Sequence, residues 1–250
     1  MMTEPHILVT QEGPLLSIRI NRPDKKNALT NEMYDGLTEA LLRACENDQI
    51  IAVKLEGVGD CFTAGNDLID FLSMEGLSPT ASAPRFLKAL ASFPKILMAV
   101  VQGAAVGIGT TLLLHCDFVI AANNTRFQLP FINLALVPEA ASSLLLPARI
   151  GYLRAAELLL FGEPFSAETA LQLGIVNRIV EQADLEACSG DILNKLFKKD
   201  PAALFETKRL LKLQLIDVEE RMKEEFKAFG TRLAAPAFKT MAEAFFQSKK

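Results

Sequence analysis

One carboxylate stands apart in this chain. Glu139 is the only charged residue between Phe127 and Ala148, and its neighbours include Leu134, Leu136, Val137, Leu144 and Leu145. A carboxyl group held among apolar side chains loses hydration in its charged form. Its pKa then rises toward the range in which it can take up and return a proton near neutral pH. The same residue follows Pro138, and a proline followed by an acid is also what the first turn of a helix favours. From the residues alone both readings stand.

Two glycine-marked breaks supply a second kind of chemistry. The first, Gln102 to Gly109 (QGAAVGIG), joins the apolar run Ile96–Val101 to the helical run Thr110–His115. The second, Ala64-Gly65-Asn66-Asp67, leads into apolar Leu68, Ile69, Phe71 and Leu72. The first N–H groups of a helix have no intrahelical partner. Two such turns are the parts of an oxyanion hole, which holds negative charge as it develops on a carbonyl oxygen. The spacing Gly103-x3-Gly107-x-Gly109 is not the dinucleotide fingerprint, which needs G-x-G-x-x-G and an acid ~20 residues on. No Gly-Lys-Ser/Thr follows, so it is not a phosphate loop either. A tight strand-to-helix turn also accounts for the glycines without any ligand.

Other reactive residues read as structural. His115-Cys116-Asp117 are adjacent at a helix end and point in different directions, which suits packing better than a metal. Ser142-Ser143 has no G-x-S-x-G elbow around it. The stretch Glu219–Lys227 (EERMKEEFK) reads as a solvated helix face with i,i+4 pairs, and Arg126 as a surface residue. Cys45, Cys61, Cys116 and Cys188 are scattered, so reduced thiols are expected. The net charge is −4, and basic residues cluster no further than pairs such as Lys198-Lys199 and Lys249-Lys250, which argues against nucleic acid as a main partner. No apolar run reaches the ~18 residues of a membrane span. MMTEPHILVTQEG has no signal pattern, and Gln-Ser-Lys-Lys is not a peroxisomal address. A cytoplasmic, non-membrane protein is expected.

The elements that must position these residues alternate in type. Leu16, Ile18 and Ile20 mark a strand, and NRPDKKNALT is a turn-rich connection. Thr30 caps a helix with Met33, Leu37, Ala40, Leu41 and Ala44 on one face. Ile50–Leu55 is a strand, Met74–Pro84 a mobile loop, and Arg85–Phe93 a helix that Pro94 stops. Ile96–Val101 and Phe118–Ala121 are strands, and Pro138-Glu139 opens a helix. Leu144–Phe161 is helical with a break at Gly151. A short helix runs from a Ser166 cap to Gly174, and Ile175–Val180 is a strand. Only helices follow Asp184, two of them begun by Pro201 and Pro236. The expected class is α/β, with a core carrying the active site over residues 1–190 and a helical region over 191–250.

The chain resembles the crotonase (enoyl-CoA hydratase/isomerase) superfamily from about Ile7 to Leu210. The resemblance is carried by Asn21-Arg22-Pro23 with Asn27-Ala28-Leu29, by Phe62-Thr63-Ala64-Gly65-Asn66-Asp67-Leu68, by Gly103-Ala104-Ala105-Val106-Gly107, by Cys116-Asp117, and by the stretch around Gly162 to Gly174 (FGEPFSAETALQLGIV). It implies a crotonase-like spiral of strand–strand–helix turns, with C-terminal helices that cover the site and build a homotrimer or a dimer of trimers. It also implies an acyl-CoA thioester as ligand, with coenzyme A entering as part of the substrate and no separate cofactor or metal. The thioester oxygen would be held by the backbone N–H groups of Asn66 and Ile108. CoA would lie along Lys26, Ala28 and Leu29 and along Ala64, Gly65, Asp67 and Leu68.

Hydratases of the family carry two glutamates, where this chain has Thr111 and Phe131. Glu139 instead matches the single catalytic glutamate of Δ3,Δ2-enoyl-CoA isomerases of the mitochondrial and peroxisomal type, and Val137-Pro138-Glu139 with Ser142-Ser143 resembles that subgroup. Gln102 replaces a usual asparagine, and Ala140-Ala141 replace a glycine-containing pair. The implied activity is transfer of a double bond from position 3 to position 2, of the fatty-acid β-oxidation type. The alternatives are an acyl-CoA-binding protein without activity, or another enolate-forming reaction such as hydration or dienoyl-CoA isomerisation. The last would call on a further carboxylate, for which Asp67 and Asp70 are nearest in sequence.

Overall fold

The structure is a computed structural model that describes residues 5–72, 78, 80–212 and 217–247. It opens with an antiparallel hairpin, β1 (Ile7–Glu12) and β2 (Leu15–Ile20). Strands β3 (Ala52–Gly57), β4 (Ile96–Val101), β6 (Phe118–Ala122) and β9 (Arg178–Val180) then add to β2 in that order, all parallel. A smaller sheet contains β5 (Ala104–Val106), β7 (Arg126–Gln128) and β8 (Phe165–Ser166). Two isolated parallel bridges, Thr63 to Ala105 and Leu29 to Asn66, continue its ladder. The chain is therefore a coil. Each circuit gives one long strand to the first sheet and one short extended piece to the second: β2 then Leu29, β3 then Thr63–Asn66, β4 then β5, β6 then β7. This is the expected strand–strand–helix spiral.

The central strand shows why the coil holds. Every residue of β4 is buried. Leu97, Ala99 and Val101 join the main core with α1 (Asn31–Glu46) and α3 (Ser82–Ala91). Ile96, Met98 and Val100 join a second core closed by Leu185, Ile192 and Leu193 of α8 (Leu185–Leu196). A continuous apolar run is what a parallel strand covered on both faces requires. Helix α1 buries the expected stripe, and the Thr30 hydroxyl accepts from Met33 N–H at 3.4 Å. The other helices are α2 (Leu68–Leu72), α4 (Ile108–Thr111), α5 (Ser142–Ile150), α6 (Tyr152–Phe161), α7 (Ala167–Gln172), α9 (Pro201–Lys212), α10 (Val218–Leu233) and α11 (Pro236–Gln247). Among the described residues no helix is long and apolar enough to cross a membrane.

Several expectations change. Pro138-Glu139 opens no helix, because Ala140 and Ala141 take positive φ and α5 starts only at Ser142. The glycine break at Gly103–Gly109 contains strand β5, since its backbone pairs with β7. The helix before Pro94 begins at Ser82, inside the expected loop; the rest of that loop lies largely outside the described residues. The strand expected from Ile175 begins at Arg178, after Ile175 and Val176 have turned into the core.

Candidate active site

The backbone donors come first, because the fold builds them directly. At the Thr63–Ala105 bridge, Val106 N–H donates to Thr63 C=O at 3.0 Å and Thr63 N–H to Ala104 C=O at 3.1 Å. Asn66 and Ile108 each lie three residues beyond that bridge on neighbouring parallel pieces. Leu29 N–H donates to Gly65 C=O and Asp67 N–H to Leu29 C=O, both at 2.8 Å. In a parallel ladder this turns the N–H and C=O of the residue between, Asn66, away from Leu29. On the other piece Gly107 N–H donates to Gln128 C=O at 2.9 Å, and Thr110 and Thr111 N–H both return to Gly107 C=O. Ile108 is then the first residue of α4, where an N–H has no intrahelical acceptor. Among the described residues neither Asn66 N–H nor Ile108 N–H has a partner. Two glycines permit the close approach. A Cβ on Gly65, at φ 91°, would lie 2.8 Å from Val106 C=O, and one on Gly109 would lie 2.6 Å from the Thr63 methyl.

Glu139 stands one helical turn along from Ile108: the Thr111 hydroxyl donates to Glu139 Oε1 at 2.5 Å. Glu139 keeps an opening to a cavity, yet loss of hydration raises its pKa to about 8. Thr111 opposes the rise and the charge of Glu225 adds to it. The loop that carries Glu139 is held from outside. Ala135, Ala140 and Ala141 have φ of 56°, 60° and 55°, a region that non-glycine residues seldom occupy. His115 Nε2 lies 2.8 Å from Ala140 C=O. Since a carbonyl only accepts, that nitrogen carries the proton, and burial keeps the ring neutral with a pKa of about 4. Arg232 Nε donates to Ala135 C=O at 2.9 Å. Ala141 N–H and Ser143 N–H donate to Glu225 at 2.6 and 2.8 Å, and the Ser143 hydroxyl donates to it at 2.5 Å.

Glu139, Asn66 and Tyr34 line one cavity of about 680 Å³, walled by α3 and α10 through residues such as Leu87, Met222, Phe226 and Phe229. The Tyr34 hydroxyl donates to the Asn66 side-chain oxygen. Burial, and then the nearby Glu139, push the phenol well above its usual pKa. Of the residues expected to act, Glu139 and Asn66 line the cavity, while Ile108 is buried and is not part of its lining. Lys26, Ala28 and Leu29 form a turn beside the strip Ala64, Gly65, Asp67 and Leu68. Thr63 Oγ1 to Asn27 C=O (2.6 Å) and Ala64 N–H to Lys26 C=O (2.9 Å) stitch the two together. Asp67 is taken up by Arg22 at 2.7 Å; burial works to raise its pKa, but the hydrogen bond from Arg22 prevails and lowers it. Asp70 accepts from Asn31 N–H at 3.1 Å. Neither aspartate lines the cavity.

Two readings of the charged and polar residues are refined. The stretch Glu219–Lys227 is not wholly solvated, for Glu225 is only 6% exposed. Its sequence signal is the stripe Met222, Glu225, Phe226, Phe229, which recurs at helical spacing. His115, Cys116 and Asp117 do take separate partners: Ala140 C=O, Leu112 C=O, and Leu97 N–H with Lys208.

Comparison with known proteins finds clear relatives. A family model described as enoyl-CoA hydratase/isomerase matches residues 10–248. "Enoyl-CoA delta isomerase 2" of Rattus norvegicus is 38% identical over 226 residues, covering 86% of this chain and 58% of the rat protein. The chain thus spans little more than half of that relative's length. "Enoyl-CoA delta isomerase 3, peroxisomal" of Mus musculus is 34% identical, covering 86% of this chain and 71% of its own. Among solved structures, OdaA of Pseudomonas aeruginosa superposes with a TM-score of 0.94 at 42% identity, covering 97% of this chain and 99% of that one.

Proposed function

The chain belongs to the enoyl-CoA hydratase/isomerase family, and from that membership we propose that it moves the double bond of a 3-enoyl-CoA thioester to the 2-position. The observation that carries this reading is the meeting of Glu139 and Asn66 in one cavity wall, with the unpartnered N–H of Ile108 one turn from the Thr111 that binds Glu139. Glu139 takes a proton from carbon 2. The electron pair of that C–H bond becomes a dienolate, whose charge gathers on the thioester oxygen. The N–H groups of Asn66 and Ile108 hold that oxygen. Losing one such donor costs about 2.7–4 kcal/mol of barrier in comparable sites. Glu139 then returns the proton to carbon 4, and the double bond rests between carbons 2 and 3. A pKa of about 8 suits a group that must both accept and release a proton near neutrality.

Hydration fits less well. It needs a second group to place and deprotonate water, and the two positions where hydratases carry glutamate hold Thr111, already bonded to Glu139, and buried Phe131. In this proposal CoA would lie along the stitched pair formed by the Lys26–Leu29 turn and the Ala64–Leu68 strip. The assembly is proposed as a trimer or dimer of trimers.

The test is Glu139→Gln with a 3-enoyl-CoA as substrate. Turnover should fall by about 10²–10⁴-fold, the usual share of general acid–base catalysis, with binding of a saturated acyl-CoA kept. A loss below about tenfold would remove Glu139 from the role of base.

A further inference from the structure

We propose that Glu225, on α10, is a positioning residue for Glu139: it fixes the turn directly after the catalytic carboxylate and so sets where that carboxylate stands against the backbone donors. The inference rests on the proton-shuttle reading above and adds to it a group that acts on Glu139 through the turn, although its side chain also borders the cavity.

The turn needs an external hold. Ala140 and Ala141 follow Glu139 with φ of 60° and 55°, and a non-glycine residue persists in that region only where its surroundings enforce it. The local chain offers little enforcement. Ser142 N–H donates to Glu139 C=O at 3.0 Å, which closes the turn onto the base's own backbone but leaves Ala141 N–H and Ser143 N–H with no helical acceptor. Glu225 takes both, together with the Ser143 hydroxyl. It is thus an N-cap supplied from 82 residues away. A shift of residues 141–143 is passed through the Ser142 bond to Glu139. The catalytic geometry of a carboxylate tolerates little such movement, since a misplacement of about 1 Å can cost about 10²-fold.

The position of Glu225 on α10 makes the hold selective. Its neighbours Met222, Phe226 and Phe229 are cavity wall. Arg232, two turns on, donates to Ala135 C=O at the other end of the same loop. One helix therefore bounds the cavity and grips the loop at both of its left-handed ends.

Titratable and charged groups surround the pair from several elements. Glu225 acts on Glu139, Glu139 acts in turn on Tyr34 of α1, the Thr111 hydroxyl of α4 binds Glu139, and Arg221 acts on Glu225. Lys88 of α3 and Glu219, Lys223 and Lys227 of α10 also line the cavity.

Glu225→Gln in the full chain tests the proposal. It removes the charge and leaves one amide N–H without an acceptor. The expected result is a kcat at least about tenfold lower, with KM for the 3-enoyl-CoA little changed. The acid limb of the kcat/KM profile should also move to lower pH, because the repulsion on Glu139 is gone. A raised KM with kcat intact would assign Glu225 to the cavity wall alone. An unmoved limb, with rate lost only in step with thermal stability, would make it a plain helix cap. Either result overturns the proposal.

If the variant does not fold, Ser143→Ala removes one of the three donors and leaves both carboxylates. It should lower kcat severalfold at unchanged KM, and no change would overturn the proposal equally. Glu139→Gln run alongside separates the two readings. Full activity there sinks the shuttle, whereas an inactive Glu139→Gln beside a wild-type-like Glu225→Gln sinks only the positioning role.

Discussion

At the scale of single residues the governing quantity is the protonation of Glu139. Its ordinary pKa of 4.5 is raised to about 8 by burial. The folded state thus holds this proton more tightly than the unfolded chain, and stability drains away as pH rises from about 4.5 to about 8. Each unit is about 1.4 kcal/mol. Glu139→Gln should therefore unfold at a higher temperature than the wild type at pH 8.5, and at about the same temperature near pH 5; calorimetry at the two pH values decides. In kinetics the proposed role gives the opposite sign, because a base must be ionised. The kcat/KM profile should climb with pH to a plateau above about 8. Thr111→Val removes the one hydroxyl that favours the carboxylate form. A hydrogen bond to a charged group is worth about 1.5–3 kcal/mol, so the limb should rise by about one to two units, with activity at pH 7 down roughly 10- to 100-fold and the deficit closing only above about pH 9. A limb that stays in place would show that the short Thr111 contact does not shape the base.

The elements divide into those that make the centre and those that enclose it. The two glycine pieces make the donors, and Gly109→Ala should show it: the added methyl would meet Thr63 at 2.6 Å, forcing apart the strips that carry Asn66 and Ile108. We expect kcat to fall at least as far as for loss of one donor, about 10²-fold, while Ile108→Val remains close to wild type. Helices α3 and α10 wall the cavity in which the proposed function puts the acyl group. Met222→Trp should raise KM for long 3-enoyl chains and spare short ones, and uniform loss across chain lengths would place the acyl group elsewhere.

Much of this was legible because local pattern and tertiary role coincide. The apolar run Ile96–Val101 reads as a strand and is one, buried on both faces. Thr30 reads as a cap and is one. Glu139 stood out because no other charge lies near it in sequence. The turn behind it was not legible. Alanine carries no signal for positive φ, and the restraint comes from Glu225, masked in a run whose other charges do pair along the helix surface, such as Lys223 with Glu219 and Glu220.

For the molecule as a whole, α6 leaves Leu153, Leu160 and Phe161 at 82%, 65% and 64% exposure. That apolar area is what contact between copies would cover in the proposed trimer, and Leu153→Glu with Phe161→Glu should reduce the mass measured by light scattering if that helix is the seam. The coiled path of the chain has a consequence for engineering. Asn66, Ile108 and Glu139 sit on successive windings, with the grip on the last supplied from beyond the coil. A hybrid of this protein with a relative, joined between the windings of Asn66 and Ile108 or of Ile108 and Glu139, would assemble its proposed reaction centre from two lineages and inherit mismatched halves. Activity in such hybrids should track agreement at the rungs between windings, whichever parent contributed the longer share.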